Sequence, residues 1–284
     1  MIHIGAMQPD ASAEVKDLMK RSFPRTMRPF LSLSGTVLTA REQDTLLGAV
    51  VLNRCCSGSV GLVSWIFTSQ NARGRGVAQL LLDEAVQYLS GLGCRDIVAI
   101  VEGDNTGSSN RFAEAGFYRT NPLEQIMNFS WSLPAVLIRS LHLFDIGFFL
   151  WHKRIDGEPR RSRGIHPLAS WLITIGLLWL LLPGIHFPAL AAVLGFRQAA
   201  AVLGYLVVSS EKITYRPWGT GLIVTGVISL LFGGIFPAAG SLYPKRLTWS
   251  SREHTKALGI SGLCASWALI LAAGLQAAQA VPIH

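Results

Sequence analysis

The chain has 284 residues, with 25 Lys and Arg against 17 Asp and Glu and a formal net charge of +8, and this length allows about two domains. Residues 1–131 hold 12 cations and 12 carboxylates, whereas residues 132–284 hold 13 cations and 5 carboxylates, so the excess charge lies in the second part. Because these cations flank long apolar runs, they indicate a membrane surface and argue against nucleic-acid binding.

The four cysteines, Cys55, Cys56, Cys94 and Cys264, form no CxxC motif and no Cys/His pattern with metal-ligand spacing, so no metal site is expected. The first residues, MIHIGAMQPDASAEV, lack the basic and then apolar segments of a cleaved signal peptide. The first domain is therefore expected on the cytoplasmic, reducing side.

The first part of the chain alternates between strand and helix patterns. Ile2–Ile4 predicts a short strand, and PDASAEVKDLMKRSF predicts a helix that begins near Asp10 or Ser12. GTVLTAREQDTLLGAVVLN predicts a hairpin, and VGLVSWIFT predicts a further strand. These patterns are typical of an α/β or α+β domain with a central sheet.

The alternation continues after a glycine-rich turn. VAQLLLDEAVQYL places its apolar residues on one side of a helix that ends at Gly91 and Gly93. RDIVAIVEGDN then predicts a strand, TGSSNRFAEAG a short helix, and EQIMNFSW a closing strand. The predicted first domain covers residues 1–131.

Residues 132–166 are predicted as an interfacial helix, LPAVLIRSLHLFDIGFFLW, followed by a basic linker. The third domain, residues 167–284, is predicted as an all-α transmembrane bundle of about four helices, because four segments are long and apolar enough to cross a bilayer. The four predicted spans are residues 167–184, 188–209, 219–240 and 257–278.

The basic loops predict how this bundle is oriented. The loops 152–166 and 211–218 hold seven Lys and Arg, and the loop 241–256 holds four. The positive-inside rule then predicts a multi-pass protein of the inner (cytoplasmic) membrane whose first domain is cytoplasmic. Arg197 falls near the middle of the second span, where it either contacts a phosphate or headgroup or marks the interface of a shorter span.

The stretch SQNARGRGVAQLLLDEAVQYL, residues 69–89, joins a glycine-rich turn to the start of a helix. Unpaired backbone N–H groups and the helix dipole favour an anion there, and Gly74 and Gly76 leave room for it to approach the backbone. G-x-G alone is a weak signal that a tight turn would also explain. The stretch has no Lys-Ser/Thr of a P-loop and no third glycine at Rossmann spacing.

Three motifs together resemble the acetyl-CoA site of the GNAT superfamily of N-acetyltransferases. SWIFTSQ followed by NARGRGVAQLLL resembles the pyrophosphate loop, Q/R-x-x-G-x-G/A, and IVAIVEGDN resembles the next strand. NTGSSNRFAEAGF resembles N-x-x-A-x-x-x-Y-x-x-x-G-F. The resemblance covers residues 1–131 and implies a mixed sheet flanked by helices, with acetyl-CoA as acyl donor. The residues it implies around acetyl-CoA are Phe67, Thr68, Ser69, Arg73, Gly74, Arg75, Gly76, Val77, Ala78, Asn105, Ser108 and Phe112.

The chain departs from the family pattern at two positions. Asn71 stands where many members have Gln or Arg, and Phe112 stands where many have the Tyr that protonates the leaving thiolate. Tyr118 is a candidate substitute for that acid. Glu102 and Asp104 are candidate proton acceptors for the amine, with Glu42 a further carboxylate, although solvated surface positions would also explain them.

These features predict a membrane-anchored N-acyltransferase that acetylates a primary amine, with membrane lipids as partners. The acceptor is a small-molecule or lipid amine, for example an aminolipid or a lipid-linked amino sugar. Because Phe112 lacks a proton donor, a non-catalytic acetyl-CoA sensor that regulates the membrane bundle is the alternative. A transporter with a regulatory GNAT domain and a longer acyl donor also stay open.

Overall fold

The structure is a computed structural model that describes residues 1–103, 105–140, 148–161, 167–181, 186–217, 227–228, 230–232, 240–248 and 250–280. The chain forms two compact units, one built around a sheet and one built mainly from helices. Asp104 and the segment 141–147 lie outside the described residues.

The first unit contains a seven-stranded mixed sheet with the order β1-β2-β3-β4-β5-β7-β6. Its strands are β1 Ile2–Ala6, β2 Thr36–Glu42, β3 Thr45–Cys55, β4 Val60–Thr68, β5 Asp96–Glu102, β6 Tyr118–Arg119 and β7 Phe148–Arg154. Its α-helices are α1 Ser12–Ser22, α2 Val77–Gly91, α3 Thr106–Glu114, α4 Pro122–Phe129 and α5 Leu133–Arg139. The predicted mixed sheet flanked by helices is confirmed.

Helices cover both faces of this sheet. Val15 and Met19 of α1 pack on alternate residues of β3, including Ala49 and Val51. Gly48, the residue before Ala49, faces the other way, and an added Cβ there would lie 3.1 Å from Leu81 of α2. Successive strand residues point to opposite faces, so α1 and α2 lie on opposite sides of β3.

Two predictions at the end of this unit are wrong. EQIMNFSW is helical rather than a closing strand, because Asn121 and Glu124 form a capping box ahead of it. The segment 133–151 is not one interfacial helix, because it contains α5 and most of β7. β7 pairs with β5 on one side and with β6 on the other, so the sheet continues past residue 131.

The second unit contains three described α-helices and a hairpin: α6 Pro167–Leu181, α7 Phe187–Val208, α8 Ser251–Ala280, and the antiparallel strands β8 Ile213–Pro217 and β9 Gly240–Pro244. Gly204 lets α7 and α8 approach closely, since a Cβ there would lie 2.8 Å from the Sγ of Cys264. Tyr205 packs against Ala257 and Leu242, so one cluster joins both helices to the hairpin.

Among the described residues, one helix is long and apolar enough to cross a membrane. This helix is α7, Phe187–Val208, with a mean hydropathy of 1.7 in its most apolar part. A shorter apolar helix covers Trp171–Leu180, and most of the predicted span 219–240 lies outside the described residues. The described residues therefore support one candidate span and not the predicted bundle of four.

Candidate functional site

The site begins where two parallel strands separate. β4 and β5 pair from Val60 with Asp96 to Val63 with Ala99. Beyond this point β4 continues to Thr68 and β5 continues to Glu102. These last residues of the two strands are not paired with each other. The two strand ends therefore diverge at their carboxyl termini.

A β-bulge accompanies the separation. Val51 of β3 pairs with Trp65, but the next residue, Leu52, pairs with Val63, so Ser64 is an extra residue in β4. A bulge bends its strand and increases the local twist. Because it follows Val63 directly, the bulge turns β4 away from β5 at the residue where their pairing stops.

The alternation of backbone groups shows which N–H faces the gap. The Ser69 N–H donates to the Leu47 carbonyl of β3 at 2.8 Å, so it is already paired. N–H groups of successive residues in a strand point to opposite sides, so the Thr68 N–H points toward β5. Of the predicted trio Phe67, Thr68 and Ser69, Thr68 presents its N–H to the gap, and the Phe67 side chain is buried in the core with α1.

The chain then makes a tight turn into α2. Gly74 and Gly76 have φ values of +77° and +74°, which residues with a Cβ adopt only with strain. An added Cβ at either position would meet no atom within 4 Å. Backbone conformation therefore requires these glycines, and the space above both of them is open to an approaching group.

Four backbone N–H groups at this turn have no protein partner in the described part of the chain. The Arg73 and Arg75 N–H groups donate to the Gln70 and Ala72 carbonyls. The unpartnered groups belong to Gly74, Gly76, Val77 and Ala78. Gly76 is the N-cap residue and makes no side-chain cap hydrogen bond, so the helix presents unsatisfied donors and its positive dipole end to a ligand.

The two arginines of the turn differ in their surroundings. Arg75 Nη2 donates to both carboxylate oxygens of Glu42 at 2.8 and 2.9 Å, which ties the turn to the β2–β3 hairpin. That hydrogen bond also lowers the pKa of Glu42, so Glu42 is a paired anion rather than a base. Arg73 is exposed, and among the described residues no ion pair involves it.

Residues 8–117 match the sequence model of the acetyltransferase (GNAT) family. Residues 8–117 form a GNAT acetyltransferase domain. The predicted family and enzyme class are confirmed for this part of the chain, and no curated protein sequence matches it.

Among the solved structures that resemble about half of the chain are two acetyltransferases and a synthase. An acetyltransferase from Bacillus subtilis in complex with CoA is 16% identical, with a TM-score of 0.41 over 55% of this chain and 99% of its own. A GNAT acetyltransferase from Elizabethkingia anophelis with acetyl-CoA bound is 14% identical, with a TM-score of 0.41 over 54% and 98%. N-acetylglutamate synthase from Neisseria gonorrhoeae is 17% identical, with a TM-score of 0.42 over 55% and 36%. These identities are too low to indicate a substrate.

Phe112 of the GNAT domain is a core residue. Its side chain is 3% exposed and packs edge-on against Phe117, at a ring distance of 5.1 Å, and beside Trp151 of β7. It therefore supplies no proton and holds α3 against the sheet. Asn105 and Ser108, at the start of α3, are exposed and half-buried.

Of the two candidate proton acceptors, Glu102 and Asp104, the structure describes Glu102. Glu102 is exposed at the end of β5, which places it at the diverging strand ends with Thr68. Asp104 lies outside the described residues, so its position is not described. No group of three or more His, Cys, Asp and Glu side chains suited to a metal occurs among the residues that the structure places.

Tyr118 is placed away from the diverging strand ends. Its side chain is 4% exposed, and its hydroxyl lies 2.7 Å from His152 Nδ1. In the sheet, Tyr118 of β6 lies opposite His152 of β7, and His152 lies opposite Val98 of β5. Val98 belongs to the part of β5 that is paired with β4. Burial raises the pKa of Tyr118. The structure therefore does not bring this candidate acid to the turn at Gly74 and Gly76.

Tyr118 belongs to a buried polar chain that the sequence did not reveal. His152 is fully buried, and its Nε2 lies 2.8 Å from Asp96 Oδ1, which Arg154 Nε also contacts at 3.2 Å. Burial favours a raised pKa for Asp96, but the hydrogen bond from His152 and the nearby cations outweigh it and hold the pKa below its ordinary value. No signal in the sequence revealed this chain of contacts, because it depends on β7, whose pairing with β5 and β6 is long-range.

Proposed function

We propose that this chain is an acetyl-CoA-dependent N-acetyltransferase whose acceptor is a primary amine on a membrane-associated molecule, an aminolipid or a lipid-linked amino sugar. One observation carries the donor assignment: the turn into α2 presents four unpartnered N–H groups beneath open space. A diphosphate fits such donors, because backbone N–H groups and a helix N-terminus together bind phosphate. The family match at residues 8–117 supports the same assignment.

The proposed reaction assigns a separate task to each part of the site. A neutral amine attacks the thioester carbonyl carbon, so that a C–N bond forms while the C–S bond breaks. The Thr68 N–H, which faces the gap between β4 and β5, is the donor that would stabilise the carbonyl oxygen as it becomes negative. The amine loses one proton, for which exposed Glu102 is the candidate acceptor, directly or through water.

The departing sulfur takes the C–S bonding electrons and needs one proton. Phe112 cannot supply it, and the hydroxyl of Tyr118 is bound to buried His152. Within the proposal, solvent protonates the thiolate. This requires no side-chain acid, because a thiolate leaves far more readily than an alkoxide: the pKa of a thiol, about 8.5 for cysteine, lies well below that of an alcohol.

The membrane part of the proposal rests on the second unit. α7 is a candidate span, and residues 165–284 carry seven Lys and Arg against two carboxylates, as expected beside anionic lipids. We propose an integral protein of the cytoplasmic membrane with the acetyltransferase domain on the cytoplasmic side. Reporter fusions after His186 and after Lys212 flank α7, and the two reporters must lie on opposite sides of the membrane if α7 crosses it.

Isothermal titration of acetyl-CoA into the detergent-purified chain tests the donor site. Gly76→Glu places a carboxylate among the four N–H groups and is expected to weaken binding about tenfold or more. Gly93→Glu is the matched control, because Gly93 lies beyond the other end of α2, also has a positive φ (+80°) and also faces open space. Equal affinities for the two variants would refute the assignment of this turn.

Mass spectrometry of membrane extracts tests the acceptor. Cells with the active chain are expected to contain an acetylated aminolipid or lipid-linked amino sugar that cells with Gly76→Glu lack. If wild-type protein binds acetyl-CoA but no acetylated product accumulates in any fraction, the sensor alternative replaces the enzyme. An acetylated water-soluble amine would retain the enzyme and refute the membrane-associated acceptor.

A further inference from the structure

Helix α4, Pro122–Phe129, has two polar side chains inside and two large apolar side chains outside. Glu124 and Gln125 are buried and hydrogen-bonded, whereas Leu123 and Ile126 are exposed. Residues three apart lie on the same side of a helix, so the two exposed apolar side chains are neighbours. A surface helix that faces water has the opposite pattern. The outer side of α4 is therefore suited to an apolar partner.

The exposed apolar surface continues into the next two elements. The turn Ser130–Ser132 contacts both α4 and α5, and its Trp131 is 97% exposed. In α5, Val136 is buried in a cluster with residues of the sheet. Ile138 follows two residues later on the opposite side of the helix, because each residue turns the helix by about 100°, and it is exposed. The α4–α5 surface comprises these four exposed side chains: Leu123, Ile126, Trp131 and Ile138.

Two exposed arginines border the α4–α5 surface. Arg139 follows Ile138 directly at the end of α5. Arg160 is held beside the carboxyl end of α4, because its backbone N–H donates to Asn128 Oδ1 at 3.0 Å and its Nη1 donates to the Met127 carbonyl at 3.2 Å. Neither guanidinium forms an ion pair among the described residues, so both charges are available to an anionic partner.

The balance of charge favours a lipid surface over a second copy of the chain. Glu124 is the one carboxylate in residues 122–140, and it is buried in the capping box of α4. The exposed carboxylates Asp156 and Glu158 lie in the segment that precedes Arg160. A symmetric contact between two copies would bring the bordering arginines together, which like-charge repulsion disfavours. Anionic lipids offer an apolar phase and the opposite charge together.

We propose that the α4–α5 surface lies on a bilayer that contains anionic lipids, with its apolar side chains at the acyl boundary and Arg139 and Arg160 against headgroup phosphates. Tryptophan is typical of this depth, because its ring is apolar and its N–H is polar. None of these residues belongs to the acetyl-CoA site, so the inference goes beyond acetyl transfer. It rests on the membrane part of the proposed function, since the candidate span α7 would bring the chain to a bilayer.

Hydroxyl-radical footprinting of the full chain in lipid nanodiscs tests this placement. Oxidation of Trp131 is compared between nanodiscs of phosphatidylcholine and nanodiscs that also contain phosphatidylglycerol, with exposed Phe30 of the same unit as the internal reference. Trp131 is expected to be oxidised several-fold more slowly when phosphatidylglycerol is present, while oxidation of Phe30 is unchanged. Equal oxidation of Trp131 in the two lipid mixtures overturns the proposal, whether Trp131 stays in water or a protein surface covers it.

Two glutamate variants test whether the α4–α5 surface is responsible for the protection. Leu123→Glu adds a negative charge to this surface and is expected to abolish the protection of Trp131 by phosphatidylglycerol. Leu92→Glu is the matched control, because Leu92 of the same unit is 42% exposed and Leu123 is 43% exposed, and it is expected to keep the protection. Equal protection of Trp131 in the two variants overturns the proposal. The comparison of lipid mixtures uses wild type and does not depend on the folding of a variant.

The same samples separate this inference from the proposed function, because they also report the oxidation of α7. If α7 is protected in both lipid mixtures but Trp131 is oxidised equally in them, this inference fails and the candidate span stands. If α7 is oxidised as readily as Phe30, the membrane part of the proposed function fails with it.

Discussion

The two ends of the β4–β5 pair use the same polar groups in opposite ways. At the paired end, the strands share a ladder, and Asp96, His152 and Tyr118 satisfy one another in the interior. At the separated end, the Thr68 N–H and the turn at Gly74 and Gly76 leave donors directed at open space. Internally satisfied groups stabilise the domain, whereas unsatisfied ones are available to a ligand. Substitutions at one end should therefore change stability, and those at the other should change binding.

The largest effect is expected for His152→Ala. It removes a fully buried ring and leaves the Asp96 carboxylate and the Tyr118 hydroxyl without that partner. The expected loss is about 3–5 kcal/mol in the free energy of unfolding of the sheet unit. Hydrogen exchange of the β5 and β7 amides in the intact chain measures it, with the exposed His3→Ala as control. If His152→Ala instead abolishes acetyl-CoA binding at unchanged stability, His152 acts in ligand binding at the separated strand ends.

Tyr118→Phe separates stability from acid catalysis. Because it leaves a buried imidazole nitrogen without its hydroxyl partner, it should destabilise the unit by about 1–3 kcal/mol. Its kcat for acetyl transfer should stay within about twofold of wild type, since the hydroxyl lies away from the separated strand ends. A general acid contributes about 10²–10⁴-fold to a rate. A fall in kcat of that size would restore Tyr118 as the acid.

Lowering the pH should destabilise the paired end of β4 and β5, because Asp96 becomes protonated. Its pKa is lower in the folded state, so its contribution is fully present above the unfolded-state pKa of about 3.9 and is lost as pH falls through the folded value. Below a pH of about 4, the unfolding free energy of Asp96→Asn should therefore depend less on pH than that of wild type. The two slopes should differ by at most the contribution of one proton, about 1.4 kcal/mol per pH unit. Urea titrations from pH 6 to 3 compare the slopes, and equal slopes would contradict the ionised pairing.

Sequence patterns predicted correctly those elements whose structure depends on residues close together in the sequence. The β2–β3 hairpin and the strand β4 followed from their composition and spacing, and the glycines at 74 and 76 marked a turn whose positive φ values only glycine adopts easily. The tight turn into α2 was therefore predicted from sequence. The capping box that makes α4 helical was also visible as Asn-Pro followed by Glu124, but the apolar residues after it led to the wrong assignment.

The remaining elements that were not predicted depend on pairing between strands that are far apart in the sequence. The run Phe148–Arg154 has no local feature that separates a strand from an apolar helix, and it becomes β7 because β5 and β6 pair with it on both sides. The chain from Tyr118 through His152 to Asp96 joins three strands that are far apart in sequence. Likewise, sequence could not show that Phe112 packs on Trp151, because that contact also depends on β7.

The smallest effect is expected at the Arg75–Glu42 pair, which borders the binding turn. Glu42→Gln should hardly change stability, because both side chains are partly exposed and solvent screens the pair. It should tighten acetyl-CoA binding a few-fold at low salt, since one carboxylate near the phosphates disappears and Arg75 is released, and the gain should vanish at high salt. Asp44→Asn removes the same charge from the same hairpin without touching Arg75, so it should gain less. Weaker binding by Glu42→Gln would instead show that the pair holds Arg75 in the pose that the ligand needs.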